Sequence, residues 1–204
     1  RRLQPLYYAE REPSLIAASG QNWSIDDSAK DASRTSLLTA LERPHRWVHV
    51  AAHGTARPGQ LGLAGVWLAP PAHGADPEFL SWFDLVDKPL HADLAVFNAC
   101  QLASEPASNS AASLSFAAAA VSAGVGNVIA ASWPVSDSAA SVWVPAFYRI
   151  LRAHQPDSSV SAMREAQLAL RHSRFFRHPY YWAAFAHYSN LKLASTGKSL
   201  LRER

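Results

Sequence analysis

Short apolar runs and segments of helical periodicity alternate along this chain. Runs bounded by glycine, proline or polar clusters predict strands at 47–52, 66–69, 93–99, 127–132 and 182–188, with a further short strand at 14–18. Apolar positions at helical spacing predict helices at 31–41, 81–86, 113–123, 137–154 and 158–172. This alternation of strands and helices favours an α/β fold.

Several of the predicted strands contain consecutive apolar residues rather than an apolar residue at every second position. That pattern is typical of strands buried on both faces, as in a largely parallel sheet that helices cover on both sides. We therefore expect a three-layer α/β/α sandwich with a largely parallel central sheet. Strands 47–52, 93–99 and 127–132 should lie side by side and parallel at its centre.

The domain organisation follows from length and from where the periodic pattern begins and ends. A chain of 204 residues suits one domain with a full core, and the sequence contains no internal repeat. We predict an irregular N-terminal segment at 1–30, a domain at 31–190 and a basic tail at 191–204. The chain does not begin with Met, and we expect it to be a piece of a longer polypeptide or a processed product.

Composition narrows the class of protein. Hydrophobic residues make up 49% and charged residues 17%, with a net charge of +3 and a pI near 9.2. No dense run of Lys and Arg and no apolar run of membrane-spanning length occurs, so we expect neither nucleic-acid nor membrane binding. The one cysteine cannot form an internal disulfide, and we expect a reducing, cytoplasmic location.

Two of the predicted strands end in reactive side chains. One ends at His53-Gly54 and another at Cys100. If these strands are parallel neighbours, imidazole and thiol emerge at the same edge of the sheet, and the imidazole can draw off the thiol proton. The alternative is that Cys100 is a small buried apolar residue and His53 an ordinary turn residue.

Other kinds of site find less support in the sequence. His49 and His53 have a spacing that binds zinc on a helix, but they lie on a predicted strand, so we expect no metal. No phosphate-binding loop and no Gly-x-Ser-x-Gly elbow occurs, so we expect no cofactor and no serine esterase. Asp84 or Asp93 could orient His53, and the sequence does not choose between them.

Four segments, in this order, resemble the motifs of CHAT domains, which are clan CD relatives of caspases and separase. They are HVAAHG at 49–54, DLAVFNACQ at 93–101, ASWPVSD at 131–137 and HPYYWAAF at 178–185. The residues after the cysteine differ, because the family usually has Ser-Ala-Cys-Glu-Thr where this chain has NACQL at 98–102.

The resemblance implies a caspase-like cysteine endopeptidase that cleaves a protein or extended peptide. Cys100 is then the nucleophile and His53 the base, and CHAT domains often follow tetratricopeptide repeats, so an upstream domain or activator is implied as a partner. The backbone N–H groups of Gly54 and Cys100 could hold the oxyanion, unless Gly54 only turns the chain. The alternative function is a non-catalytic CHAT-like interaction or regulatory module, with which the altered residues after Cys100 agree.

Asp137 and Trp133 are the candidate substrate-binding residues. By resemblance their segment forms a wall of the S1 pocket, and in separase the matching segment presents an aspartate that receives an arginine at P1. A carboxylate at Asp137 would pair well with a guanidinium. The alternatives are that Asp137 caps the following helix and that Trp133 only packs in the core or at its rim.

Overall fold

The computed structural model describes residues 6–20, 32–55, 64–71, 75–103, 115–153 and 159–189. Its strands are β1 (His45–Ala51), β2 (His53–Thr55), β3 (Gly65–Leu68), β4 (Glu78–Ser81), β5 (Ala92–Asn98), β6 (Asn127–Ala131) and β7 (Phe185–Ser189). Its α-helices are α1 (Glu12–Ala18), α2 (Arg34–Glu42), α3 (Phe116–Ser122), α4 (Asp137–Ala153), α5 (Ser159–His172) and α6 (Pro179–Trp182). The predicted tail at 191–204 and most of the loop after Cys100 lie outside the described residues.

The central sheet has the strand order β1-β5-β6-β7. β5 runs parallel to both β1 and β6, whereas β7 runs antiparallel to β6. The predicted adjacency and common direction of β1, β5 and β6 are therefore confirmed. The prediction that all three lie at the centre is wrong for β1, which stands at one end of the described sheet.

Both faces of this sheet are covered by helices. Along β5, Ala95 and Phe97 pack in a cluster with residues of α2 and α3, while Leu94 and Val96 pack with residues of α1, α4 and α5. Successive residues of a strand point to opposite faces, so a strand between two helical layers has no polar face. The predicted α/β/α sandwich with a mostly parallel sheet is confirmed, and the cover on both faces explains the consecutive apolar residues of β5 and β6.

A second, antiparallel sheet with the order β2-β3-β4 follows directly after β1. His53 in β2 pairs with Trp67 in β3, which pairs with Phe79 in β4, and the rings of Trp67 and Phe79 lie 4.9 Å apart. The predicted strand at 66–69 therefore exists but belongs to this sheet, and β4 was not predicted. Its four residues are too few to show a clear period.

Near the ends of the fold, the predicted short strand at 14–18 is wrong, and the predicted last strand exists but begins three residues later than predicted. Residues 14–18 form part of helix α1, within the segment predicted to be irregular, and Pro13 stands in its first turn. Proline there is already in a helical conformation, and five apolar residues do not distinguish a strand from a helix. Residue Trp182 belongs to α6, so the last strand begins only at Phe185.

The ends of the longer helices follow the sequence signals. Ser33 caps α2 by accepting a hydrogen bond from the Ser36 N–H at 3.2 Å, and Pro44 follows the helix closely. Gly124, two residues after the end of α3, has a φ of 121°, a conformation that favours glycine. These capping residues explain why the predicted helix boundaries agree with the structure to within a few residues.

His187 in β7 makes the stability of the fold depend on pH. Burial lowers the pKa of its imidazole, which lies 3.0 Å from the Ser159 hydroxyl. The unfolded chain therefore takes up this proton first, at about pH 6.5, so stability is full above that pH and falls as the pH drops through it. We expect the decrease in Tm from about pH 7.5 to about pH 5.5 to be smaller in His187→Gln than in wild type, by about 2 °C.

Thermal melts of His187→Gln and of His91→Gln test this expectation. The side chain of His91 is exposed, so its variant should follow the wild type. An equal pH response of wild type and His187→Gln would contradict the assignment of this effect to His187.

Candidate active site

The register of β1 and β5 brings the two reactive residues to the same height. Ala51 pairs with Asn98, so the residues two positions further on, His53 (51 + 2) and Cys100 (98 + 2), leave the sheet at one level. The Ala52 N–H extends the parallel ladder by donating to the Asn98 carbonyl at 3.3 Å. The sheet therefore places imidazole and thiol at the carboxyl ends of adjacent parallel strands, where functional groups gather in α/β folds.

A small cleft that is open to solvent is lined by both residues. Its lining comprises His53, Cys100 and Asp137 together with Leu6, Ala9, Ala52, Asn98, Ala99, Val135 and Ala140. His53 and Cys100 are each half-buried, and the thiol is not in a disulfide. The structure thus brings three of the predicted site residues into one cleft whose remaining walls are mostly apolar.

Gly54 lies close to the backbone of the turn that carries Cys100. A Cβ added at this position would overlap the backbone carbonyl oxygen and nitrogen of Cys100. Only glycine leaves room for two backbones at this distance. Gly54 therefore does more than turn the chain, because it lets the backbone after His53 touch the backbone of Cys100.

The turn that carries Cys100 is anchored at Ala103 by β6 and β7. Gln101 has a φ of 62°, in the left-handed region that a non-glycine residue adopts at a cost. Just beyond it, the Ala103 N–H donates to the Ala131 carbonyl of β6 at 3.0 Å, and the Tyr188 hydroxyl of β7 donates to the Ala103 carbonyl at 3.0 Å. Strain directly after a reactive residue, compensated by such anchors, is typical of functional turns.

Asp137 is the first residue of α4, and its carboxylate faces the N-terminal segment. Oδ2 accepts a hydrogen bond of 2.9 Å from the Tyr8 backbone N–H. Among the described residues no N–H of α4 donates to this carboxylate. Ser136 precedes the helix and its carbonyl accepts from the Ala140 N–H. This geometry differs from that of an N-cap, although a carboxylate in the first turn still interacts favourably with the helix dipole.

Trp133 is not brought to the cleft. Its indole N–H donates to the Tyr180 carbonyl of α6 at 2.9 Å, and its side chain is half-buried there. Val135, two residues later, lines the cleft instead. A part for Trp133 in substrate binding therefore stays a prediction, and its visible role is to fasten the segment before α4 to α6.

Neither aspartate that the sequence offered as a partner for His53 is placed to orient it. Asp84 pairs with Arg34 at 2.5 Å and accepts from the Ser81 N–H, and Asp93 lies exposed at the opposite end of β5. Burial alone would raise the pKa of Asp84, but its hydrogen bonds from Arg34 and Ser81 outweigh this and hold the pKa below its usual value. Asp84 thus stabilises a turn of the fold.

Sequence reasoning missed a buried polar network beneath the cleft. The Glu12 carboxylate of α1 is fully buried, and it accepts from Asn98 Nδ2 at 2.5 Å and contacts His49 Nε2 at 2.6 Å. His49 Nδ1 lies 3.0 Å from the Tyr148 hydroxyl. A glutamate followed by a proline is common at the start of a helix, so nothing in the local sequence indicated that Glu12 would be buried in a polar network.

Neither a metal site nor a membrane span is found among the described residues. No group of three or more His, Cys, Asp or Glu side chains there is arranged to hold a metal ion. Within the same residues, none of the helices combines the length and the apolar character needed to cross a membrane.

Comparison with known proteins places the chain in a family. No curated protein matches the sequence. The family model of the CHAT domain matches residues 2–190, which covers nearly the whole chain and includes the cleft, α1 and the segment before it. This match agrees with the observed fold and with the order of the four motifs, and CHAT domains are related to caspase-like cysteine peptidases. The chain therefore belongs to the CHAT domain family and has its caspase-like, protease-related fold.

Proposed function

We propose that this chain is a cysteine endopeptidase that cleaves a protein substrate with Cys100 as nucleophile and His53 as general base. The observation that carries the proposal is the β1–β5 register, which puts both residues at one height in one cleft. A half-buried cysteine in such a position differs from an inert core cysteine, which would be enclosed on all sides.

The reaction needs only groups of the chain and water. His53 takes the proton from the Cys100 thiol, and the thiolate attacks the scissile carbonyl carbon. The tetrahedral intermediate collapses as the His53 imidazolium gives its proton to the departing amine, which leaves a thioester on Cys100. Water, deprotonated by His53, then attacks the thioester, releases the new carboxyl terminus and restores the thiol.

The developing oxyanion is stabilised by the backbone N–H groups of Gly54 and Cys100. The backbone contact between these two residues supports this assignment, because it brings both chain segments to the place where the carbonyl oxygen would lie. Fixed N–H donors in a partly dry cleft stabilise such a charge far more than they would in water.

The cleft accepts a basic side chain at P1, with Asp137 as its anionic partner. Leu6, Val135 and Ala140 offer apolar walls for the aliphatic part of an arginine or lysine. Asp137 lies at the same cleft, and its Oδ1 has no hydrogen-bond partner among the residues that the structure describes. A guanidinium or ammonium group can therefore pair with this carboxylate.

Asp137→Asn is expected to lower kcat/KM for cleavage after Arg or Lys by about 100-fold, because the basic side chain of a bound substrate loses its charged partner. The change in Tm should stay below about 2 °C, since no N–H of α4 depends on this carboxylate. The matched control is Asp93→Asn, an exposed aspartate at the far end of β5. If Asp137 acts only on the helix, its variant should instead lose stability and keep its P1 preference.

A non-catalytic interaction or regulatory module is the second candidate, and the departure from the family motif at Gln101 and Leu102 favours it. The upstream partner that the family resemblance implies, a tetratricopeptide-type domain or activator, suits either function. A cytoplasmic location likewise stays a prediction.

A proteome-wide profile of new N-termini separates the two candidates. Wild-type protein should produce sites with Arg or Lys at P1, and Cys100→Ala protein should produce none. Identical profiles from both proteins would support the non-catalytic module, and a profile dominated by acidic or apolar P1 residues would reject the role of Asp137.

A further inference from the structure

We propose that Glu12 is the positioning residue of this site, because its buried carboxylate joins the N-terminal helix to both strands that carry the catalytic pair. The catalytic meaning of the inference rests on the proposed function. The contacts themselves do not, because they connect α1, β1, β5 and α4 in the folded chain.

The two contacts of Glu12 are made with the strands that lead to the reactive residues. Asn98, which donates to Oε1, stands two positions before Cys100, and His49, which contacts Oε2, stands four positions before His53. Strand residues an even number apart point to the same face. Glu12 therefore contacts β1 and β5 on one face of the sheet. These contacts lie before the strand ends at which the imidazole and the thiol emerge.

His49 connects Glu12 to a third element. Burial, together with the nearby charge of Glu12, raises the pKa of the Tyr148 phenol in α4 far above its usual value, so its O–H stays protonated. When this O–H donates to His49 Nδ1, the imidazole proton stands on Nε2 and is donated to Glu12. The chain of donors and acceptors then runs in one direction from α4 to the buried carboxylate.

This anchoring matters because the regular ladder ends just below the catalytic pair. The paired residues of the two strands end at Ala51 and Asn98, the Ala52 N–H donates to the Asn98 carbonyl just beyond them, and Cys100 itself stands on a turn. The side chain of Asn98 is held by Glu12 at the point where backbone pairing stops. Without the hydrogen bond from Asn98 to Glu12, the end of β5 can shift. A displacement of about 1 Å between two reacting groups can lower the rate by about 100-fold.

Glu12 also fixes a wall of the substrate cleft. α1 continues from the turn that contains Tyr8 and Ala9, and Leu6 and Ala9 line the cleft while the Tyr8 N–H donates to Asp137. Glu12 is the only buried charged side chain in the described core. It thus holds the N-terminal segment that forms one wall of the proposed S1 pocket. Its loss should affect KM for a basic substrate as well as kcat.

A buried carboxylate can also stabilise the fold without positioning the reactive residues. The stabilising role and the positioning role differ in their effect on the reactivity of Cys100. Removing one partner of a buried network lowers the free energy of unfolding in either case. Only a positioning role changes how readily the thiol reacts in the folded protein. Cys100 is the one cysteine of the chain, so alkylation reports on this site and on no other.

The experiment measures the rate of Cys100 alkylation by iodoacetamide from about pH 5 to about pH 9, with kcat and KM for an Arg-P1 peptide measured in parallel. The proteins are wild type, Glu12→Gln, Glu12→Ala and the control Glu10→Gln. Glu10 is an exposed carboxylate two residues away. Near-ultraviolet circular dichroism and thermal melts establish which variants are folded.

We expect Glu12→Ala to lower kcat for the Arg-P1 peptide about tenfold to a hundredfold. Its alkylation at neutral pH should also be slower than in wild type, because a displaced imidazole draws off the thiol proton less well. Glu12→Gln keeps an acceptor for Asn98 but presents an amide N–H to His49 Nε2, so its effect should be intermediate. Glu10→Gln should match wild type. If Glu12→Ala does not fold, the nearly isosteric Gln variant decides.

The proposal is overturned if the folded Glu12 variants melt at lower temperature but keep the wild-type alkylation profile and the wild-type kcat. Alkylation needs no substrate, so it also separates this inference from the peptidase assignment. A wild-type protein that cleaves nothing would remove the proposed function, while the alkylation profiles would still decide whether Glu12 positions Cys100.

Discussion

Cys100→Ala is expected to abolish peptide cleavage, with a decrease in kcat of about 10⁴-fold or more. Without the sulfur no thioester forms, and cleavage by water alone in the same cleft retains only the contribution of binding and of the oxyanion donors. His53→Ala should cost nearly as much, because the thiol then has no base and the departing amine has no acid. The double variant Cys100→Ala/His53→Ala should have a kcat only slightly lower than that of either single variant, because the two residues act as one catalytic unit.

The fold should survive both substitutions. Cys100 and His53 are half-buried at the edge of a cleft, so their truncation creates no enclosed cavity of the kind that destabilises a core. Unchanged circular dichroism and Tm together with lost cleavage would confirm the catalytic roles, and His91→Ala serves as the exposed histidine control. Cleavage by Cys100→Ala at the wild-type rate would remove the peptidase assignment from this cleft.

Gly54→Ala is expected to have the second-largest effect, a loss of about 100-fold or more in kcat with about 3 kcal/mol lost from the free energy of unfolding. The new Cβ would overlap the backbone oxygen and nitrogen of Cys100. Backbone atoms cannot rotate away as the end of a flexible side chain can. The strain must therefore be relieved by moving the turn after β1 away from the turn after β5, which separates His53 from Cys100.

Gly126→Ala is the matched control for that substitution. A Cβ at Gly126 would approach the Asp93 carbonyl at 3.0 Å, at the end of the sheet opposite to the cleft. The strain there is smaller and lies far from the reactive residues, so this variant should lose some stability and keep its kcat. Wild-type kcat in Gly54→Ala would contradict the close approach of the two backbones and the oxyanion assignment that depends on it.

The parallel strands at the core of this fold can be predicted from the sequence because burial on both faces leaves a local pattern of consecutive apolar residues. Runs such as 94–97 are apolar at each position since α2 and α3 cover one face of β5 and α1, α4 and α5 cover the other. The positions of His53 and Cys100 follow from the same pattern, because each stands where such a run ends. Their equal height in the sheet needs the register, which a single strand does not specify.

The parts that sequence reasoning missed depend on contacts between distant positions. Glu12 meets Asn98 across 86 positions, and Tyr8 meets Asp137 across 129. Neither contact leaves a periodic or capping signal near Glu12 or Tyr8, so the N-terminal segment was expected to be irregular. The small sheet of β2, β3 and β4 was hidden for another reason, since strands of three or four residues are too short for alternation to be recognised.

The most direct test of the central claim is mass spectrometry of the protein after incubation with a peptidyl acyloxymethyl ketone that carries arginine at P1. Such a probe alkylates a thiolate only after the peptide has bound as a substrate does. We expect one adduct per chain, located on Cys100, that forms much more slowly in His53→Ala and in Asp137→Asn. A wild-type chain without an adduct, or adduct formation at the same rate in wild type and His53→Ala, would contradict the assignment of this cleft as a cysteine peptidase site.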